Sequence, residues 1–254
     1  MTAKARGRLD VGALEHWLAA RPPATLLAWA DRLLIASVDR VRPERAALLR
    51  RAPAVIAAIE ARSQDALTGD VTSSLVLTAL LGDAGLDVRL LRRRLAPVVA
   101  EMGRTLGSGD EPWRSVFLYW RRRAGLGRRF VPGAAPRERL LGLYHRVHLV
   151  YYAAAYGAAP VARGRHERAL RACETTLAVV RHDADAVAEV LLAEACLRPA
   201  NDARRTRLLS ALGRRQQPDG SLSPPLAPPD ARHHTACAAA LAASLVQRRV
   251  GPAT

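Results

Sequence analysis

The feature that most limits what this chain can fold into is its punctuation into helix-length segments, with nothing between them that reads as a strand. Helix starts are marked by a capping Asp, Thr or Asn, or by Pro in the first turn, where the missing N–H has no partner to lose. Asp10 opens 11–20, Thr25 opens 26–41 and Pro43 opens 44–62; Asp70 opens 71–82 and Asp87 opens 88–106. Glu111-Pro112 opens a short Trp-rich helix to about 123, and Pro136 opens the long segment 137–157. Further helices are predicted at about 165–181, 183–197, 202–215 and 231–249. Strict apolar–polar alternation is hard to find and β-branched residues are few, so strands are not expected. Short linkers make neighbouring helices antiparallel. The expectation is an all-α fold of stacked antiparallel helix pairs.

Two loops interrupt the helices. Residues 124–136 (AGLGRRFVPGAAP) are rich in Gly and Pro and separate two halves, and residues 216–230 (QQPDGSLSPPLAPPD) hold five prolines and cannot be helical. The halves are short and alike in character, so the chain is read as a single helical domain, 1–254. With 50% hydrophobic residues over 254 positions, it can bury a sizeable core, which excludes a disordered or collagen-like chain. The longest stretch free of charge or His, about 149–162, is shorter than the ~20 apolar residues of a membrane span. The opening MTAKARGRLD has no apolar core of the kind a signal peptide needs. Cys173, Cys196 and Cys237 are odd in number and scattered, as in a reduced compartment. A cytoplasmic protein with no membrane association is expected.

Lys4 is the only lysine among 39 basic residues; against 23 acids the net charge is 39 − 23 = +16. The Arg bias matches a high-GC coding preference, but the net charge is physical and attracts polyanions. Nucleic acid is disfavoured as the partner. The Arg residues are spread over nearly every helix, and no helix-turn-helix, zinc-finger or ribonucleoprotein signature appears. The clusters Arg121-Arg122-Arg123 and Arg128-Arg129 flank or follow Trp113, Phe117, Tyr119 and Trp120. Residues 113–130 are therefore the expected docking surface for a partner protein, carried by Trp113, Trp120, Arg121, Arg122, Arg128 and Arg129; the plainer reading of such clusters is a solvated face.

Chemistry-bearing residues concentrate in two places. Four of the five tyrosines and two of the seven histidines lie within Tyr144–Tyr156. On a helix, His145, His148, Tyr152 and Tyr156 follow i, i+3, i+7, i+11 and share one face. Such a face suits proton transfer or hydrogen bonding to a polar ligand, and equally suits half-buried rings of a core. No H-E-x-x-H or Cys partner accompanies the imidazoles, so neither a metal nor an organic cofactor is expected. Farther on, Asp185 and Glu189 stand at i, i+4. Asp185 is a first-turn acid that favours a helix N-terminus. Glu189 lies among Val, Leu and Ala and points inward, either to a buried Arg or to a site.

The block around Gln217, Asp219, Gly220 and Ser221, followed by His234-Thr235 and an Ala-rich helix, resembles the repeat of α/α-toroid proteins of the squalene cyclase and prenyltransferase type. That resemblance implies a toroid-like arrangement of the helix pairs. It does not extend to polyprenyl chemistry. There is no D-D-x-x-D or D-x-D-D, the nearest segment being Asp183-Ala184-Asp185-Ala186, and two Phe, five Tyr and four Trp are too few to line a carbocation cavity.

The order of these segments also resembles a largely uncharacterised actinobacterial family associated with natural-product gene clusters, whose signature is Y-x-x-T-H-x-x-F-Y-x-T-D-F-G, with a D-x-x-x-E helix and a Q-x-x-D-G-S turn followed by H-T. Tyr144, His148, Tyr152 and Gly157, then Asp185 and Glu189, then Gln217, Asp219, Gly220, Ser221, His234 and Thr235 carry the likeness over most of 137–245. Val147 replaces the signature Thr, and Ala155-Tyr156 replaces its Asp-Phe. One branch that this chain is similar to, the azinomycin-type aziridine-forming proteins, closes a small ring by displacing sulfate from a substrate held on an acidic carrier protein. The resemblance thus implies an enzyme of secondary metabolism that cyclises its substrate with loss of an anionic group. An acidic carrier protein, and a small partner subunit, are the implied partners. His148, Glu189, Tyr152 and His234 become the expected catalytic residues, with His145, Tyr144, Asp185 and Asp219 binding substrate. The competing expectation is a non-catalytic basic helical scaffold for an acidic partner or nucleic acid.

Overall fold

The computed structural model of the chain describes residues 8–38, 44–107, 110–128, 130–159, 161–180, 183–222 and 227–247. Within them lie twelve α-helices in chain order. They are α1 (Val11–Ala19), α2 (Leu26–Val38), α3 (Glu44–Glu60), α4 (Gln64–Gly69), α5 (Val71–Asp83) and α6 (Arg89–Thr105). Then come α7 (Trp113–Arg123), α8 (Arg139–Ala153), α9 (Arg163–Val179), α10 (Ala184–Ala195), α11 (Asp202–Gly213) and α12 (Pro229–Gln247). The fold is all-α. Asp10 and Thr25 cap as the sequence announces, Asp10 Oδ1 accepting from Ala13 N at 3.0 Å and Thr25 Oγ1 from Ala28 N at 3.2 Å. Asp70, by contrast, makes no side-chain cap bond, α6 is capped at Val88 and not Asp87, and α8 starts one residue after Glu138 and not at Pro136. Asp183 Oδ1 accepts from Asp185 N and Ala186 N at 2.9 and 3.0 Å and starts α10. None of the described helices is long and apolar enough to cross a membrane.

The described residues of Met1–Pro22 and Arg137–Thr254 form one compact unit, and those of Pro23–Pro136 form a second. The chain passes between them twice, after Pro22 and at the end of the Gly/Pro-rich loop after Pro136. In the second unit α5 is the core helix, with Val71 and the run Ser74–Leu81 buried, and it packs against α2, α3, α6 and α7. A helix apolar on every side can only be central. α6 is the opposite case: Leu91, Leu95, Val98 and Val99 form one buried stripe. Its arginines still act structurally, Arg92 Nε donating to Ala124 O at 2.8 Å and Arg94 to Arg62 O at 2.6 Å. The buried Glu111 ties the loop down, accepting from Ser115 N and Gly133 N at 3.2 Å each.

In the other unit α10 is the core helix. Every residue of it except Asp185 is buried, and it packs against α8, α9, α11 and α12. The α12 side of that contact is mostly alanine, which lets the two axes approach closely. A two-residue parallel pairing, β1 (Val161–Ala162) with β2 (Leu197–Arg198), joins the segment before α9 to the segment after α10. Glu194 on α10 is fully buried and meets two guanidinium groups. Arg163 Nη1 donates to it at 3.1 Å and Arg204 Nη1 at 3.1 Å, while Arg204 also reaches Glu167 and Glu174 at 2.9 Å each. A planar fork with several donors is suited to serving three carboxylates at once.

The helix expected over 137–157 ends at Ala153. Ala155, Tyr156 and Gly157 follow with φ of 44°, 55° and 92°. A Cβ on Gly157 would sit 2.8 Å from Leu245 Cδ1, so this left-handed turn needs glycine both for its φ and for the close approach of α12. Tyr156 consequently leaves the helical face that it was expected to share with His145, His148 and Tyr152.

Candidate functional site

Three helices of the first unit bring the polar side chains together. α8 presents Tyr144, His148 and Tyr151 at i, i+4, i+7, and α10 presents Asp185 and Glu189 at i, i+4. From α12 come His234 and Thr235. The spacing that matters on α8 is therefore not the one the sequence picks out first. The face toward α10 runs through Tyr151, the residue next to the expected Tyr152.

Asp185 is held at both oxygens, Tyr144 donating its hydroxyl to Oδ2 at 2.8 Å and Thr235 to Oδ1 at 3.0 Å. Glu189, 4% exposed, lies between two imidazoles: His234 Nε2 is 3.4 Å from Oε1 and His148 Nε2 is 3.7 Å from Oε2. Tyr151, fully buried, donates its hydroxyl to Glu189 Oε2. The His148 ring lies tilted against Tyr151 and Tyr152, with centroids 5.6 and 5.8 Å away, and Tyr156 lies tilted against Tyr151 at 5.5 Å.

The titration of each group follows from its surroundings. Burial pushes the His148 imidazole below the ordinary histidine range, against the pull of Glu189. Burial raises the Asp185 carboxyl, opposed by His234 and aggravated by Glu189. Burial also acts to raise Glu189, but the His234 bond, the charges of His148 and His234 and the Tyr151 hydroxyl outweigh it and bring its pKa down. Tyr144 and Tyr151 are raised by burial and by the carboxylates beside them, so both remain hydroxyl donors.

Of the residues expected from sequence, Tyr144, His148, Asp185, Glu189 and His234 converge here, and Tyr152 flanks them through its ring. His145 is buried on the same helix at 2% exposure. Asp219 does not join them. It accepts from Trp17 Nε1 at 3.1 Å, Ser221 Oγ at 2.7 Å and Arg232 at 3.3 Å, and Arg21 and Arg232 lie 4.4 and 5.5 Å from the Trp17 ring. These contacts seat α1 on the turn before α12, apart from the other residues expected at the site. Gln216, not singled out by sequence, completes that seat, donating to Asp10 O at 2.8 Å and Gly220 O at 3.1 Å and accepting from Asp10 N at 2.8 Å.

The expected docking surface is also redrawn. Trp120 is 2% exposed, and Phe117 and Tyr119 are buried with it, because α7 turns these rings toward α5. Arg121 lies over Gly103 and Gly127, whose missing side chains give it room. Trp113, 59% exposed, remains on the surface with Arg122 and Arg128, and Arg129 lies outside the described residues.

Comparisons with protein families, with curated proteins and with solved structures return no match. A buried carboxylate between two imidazoles orients them, and burial keeps His148 in its neutral, proton-accepting form. One carboxylate oxygen each from Asp185 and Glu189 and one nitrogen of His234 also lie within 4.8 Å of one another, a donor set able to surround a metal ion. No ligand spacing in the sequence announces that set, since it is assembled across two helices.

Proposed function

We propose that the chain is an enzyme of small-molecule metabolism that closes a ring within its substrate by expelling an anionic group, and that the layer between α8, α10 and α12 is where it acts. The observation that carries this reading is the placement of Glu189 between His148 and His234. In such a reaction the lone pair of an amine attacks the carbon bearing the leaving group. A C–N bond forms, the C–O bond breaks, and sulfate or a like anion departs with the bonding electrons. The ammonium proton must then be removed, and an imidazole oriented by Glu189 is fitted to take it. His234, 39% exposed, is the member of the pair open to an arriving substrate.

Aziridine formation from an amino sulfate is the specific form implied by the likeness of Tyr144, His148, Tyr152 and Gly157, and of the Asp185–Glu189 and His234-Thr235 pairs, to the natural-product family. An acidic carrier protein is the partner that fits the net charge of +16, and Trp113, Arg122 and Arg128 supply an exposed aromatic and basic contact for it. The test is release of sulfate from vicinal amino-sulfate substrates, free and linked to an acidic carrier. The wild-type chain is expected to release it, while Glu189→Gln and His148→Gln, checked for unchanged helical circular dichroism, are expected to lose at least about two orders of magnitude in rate. Equal release by Glu189→Gln, or none from any such substrate, would overturn the reading.

A further inference from the structure

Apart from the helix-capping Asp10, Glu138 and Asp183, several carboxylates of the first unit are paired with arginine. Glu167, Glu174 and Glu194 each meet at least one guanidinium, and Asp219 meets that of Arg232. Asp185 and Glu189 meet none among the described residues, although 38 of the chain's residues are Arg. Their partners are hydroxyls and imidazoles. In so basic a protein, two neighbouring acids, one of them buried, offer carboxylate oxygens that no guanidinium occupies among the described residues.

The geometry points to a divalent transition-metal ion there, and we propose that Asp185, Glu189 and His234 bind it. The three ligand atoms lie within 4.8 Å of one another. The His234 Nε2–Glu189 Oε1 separation of 3.4 Å is close to the edge of a tetrahedron whose corners are about 2.0–2.2 Å from a central ion. The oxygens are already oriented, Asp185 by Tyr144 and Thr235 and Glu189 by Tyr151, and each oxygen that accepts one hydroxyl keeps a second lone pair. Ligating carboxylates are commonly held by such outer hydrogen bonds. An imidazole nitrogen among the donors favours zinc, cobalt, manganese or iron over magnesium and calcium, which prefer all-oxygen sites. The exposure of His234 leaves an ion a way in on that side. His148, on the far oxygen of Glu189, lies outside the set.

This inference shares its location with the proposed reaction but rests on no step of it. The experiment is isothermal titration of chelator-treated full-length protein with Zn(II), with Co(II) absorption as a second readout and Mg(II) as the comparison ion. One Zn(II) per chain is expected, visible Co(II) bands of a low-symmetry site are expected, and Mg(II) is expected to bind much more weakly. Asp185→Asn and His234→Gln should each weaken Zn(II) binding by at least about tenfold. His16→Gln, on the exposed side of α1, should leave it unchanged. Absence of Zn(II) heat and Co(II) bands, or unweakened binding in the Asp185→Asn/His234→Gln double variant, overturns the metal site. If the ion binds as expected and no amino sulfate is cyclised, the ring-closing reading fails alone; if cyclisation proceeds in protein that binds no ion, the metal site fails alone.

Discussion

The Tyr144 hydroxyl donates to Asp185 Oδ2 across 2.8 Å, linking α8 to the only residue of α10 that is not buried. Burial raises the pKa of both partners, so the phenol keeps its proton over the working range and the contact is a donor–acceptor bond throughout it.

Tyr144→Phe removes that donor and little else. Hydrogen bonds to charged groups contribute about 1.5–3 kcal/mol, and partial exposure places this one at the lower end. The variant should lose about 1–2 kcal/mol, read as faster amide hydrogen exchange in α8 and α10. Exchange at the wild-type rate in both helices would show that the bond contributes nothing.

Glu194→Ala should be the most damaging single change in the first unit. It leaves Arg163 and Arg204 facing a vacated, fully buried position. Breaking a buried pair by deleting one partner costs about 3–5 kcal/mol. Chemical denaturation should show that unit unfolding at much lower denaturant, and an unchanged midpoint would contradict the account.

Acid should attack the same network. The bond from Arg204, outweighing burial, with help from Arg163 and Arg171, holds the Glu167 carboxyl down at about 2, against 4.5 for a free Glu. A carboxyl depressed on folding contributes its full stability above the free value and loses it as pH falls from about 4.5 through about 2. Arg204→Gln should move the acid-unfolding midpoint upward within that window, measured by circular dichroism against pH.

The left-handed turn after α8 gives a pair of opposite expectations. Ala155 adopts φ of 44°, which costs an L-residue about 1–2 kcal/mol, whereas Asn tolerates this region. Ala155→Asn should raise stability by up to about 1 kcal/mol. Gly157→Ala should lower it by more than about 1 kcal/mol, since its Cβ meets both an unfavourable φ and Leu245 Cδ1 at 2.8 Å. Thermal unfolding of the two variants side by side would decide; equal midpoints would remove strain from the explanation.

The helices were legible because their signals are local. Asp10, Thr25 and Asp183 announce starts that depend on residues two or three positions away. The end of α8 was not legible. Nothing in Ala153–Tyr156 itself breaks a helix, and the chain turns there into three successive left-handed residues packed under α12. The site was legible as a set of residue types but not as a set of contacts. Asp185 and Glu189 share a helical face by spacing, yet the choice of Tyr151 over Tyr156 as their neighbour depends on how α8 meets α10. The distance of Asp219 from that set was not legible, because an Asp-Gly turn looks the same whether it faces the other acids or, as here, an indole some two hundred residues earlier in the chain.

That long reach bears on how the protein is made. α1 finds its partners, Gln216, Asp219 and α12, only after the intervening chain has been synthesised, while the segment between Pro23 and Pro136 carries its own core. At about 5–20 residues per second, a ribosome needs on the order of 10–40 s to span that gap. During that interval the amphipathic α1, with Leu14, Trp17 and Leu18 on its apolar side, has no surface of its own unit to cover. α1 is therefore made long before the residues it packs on, Gln216, Asp219 and α12, leave the ribosome.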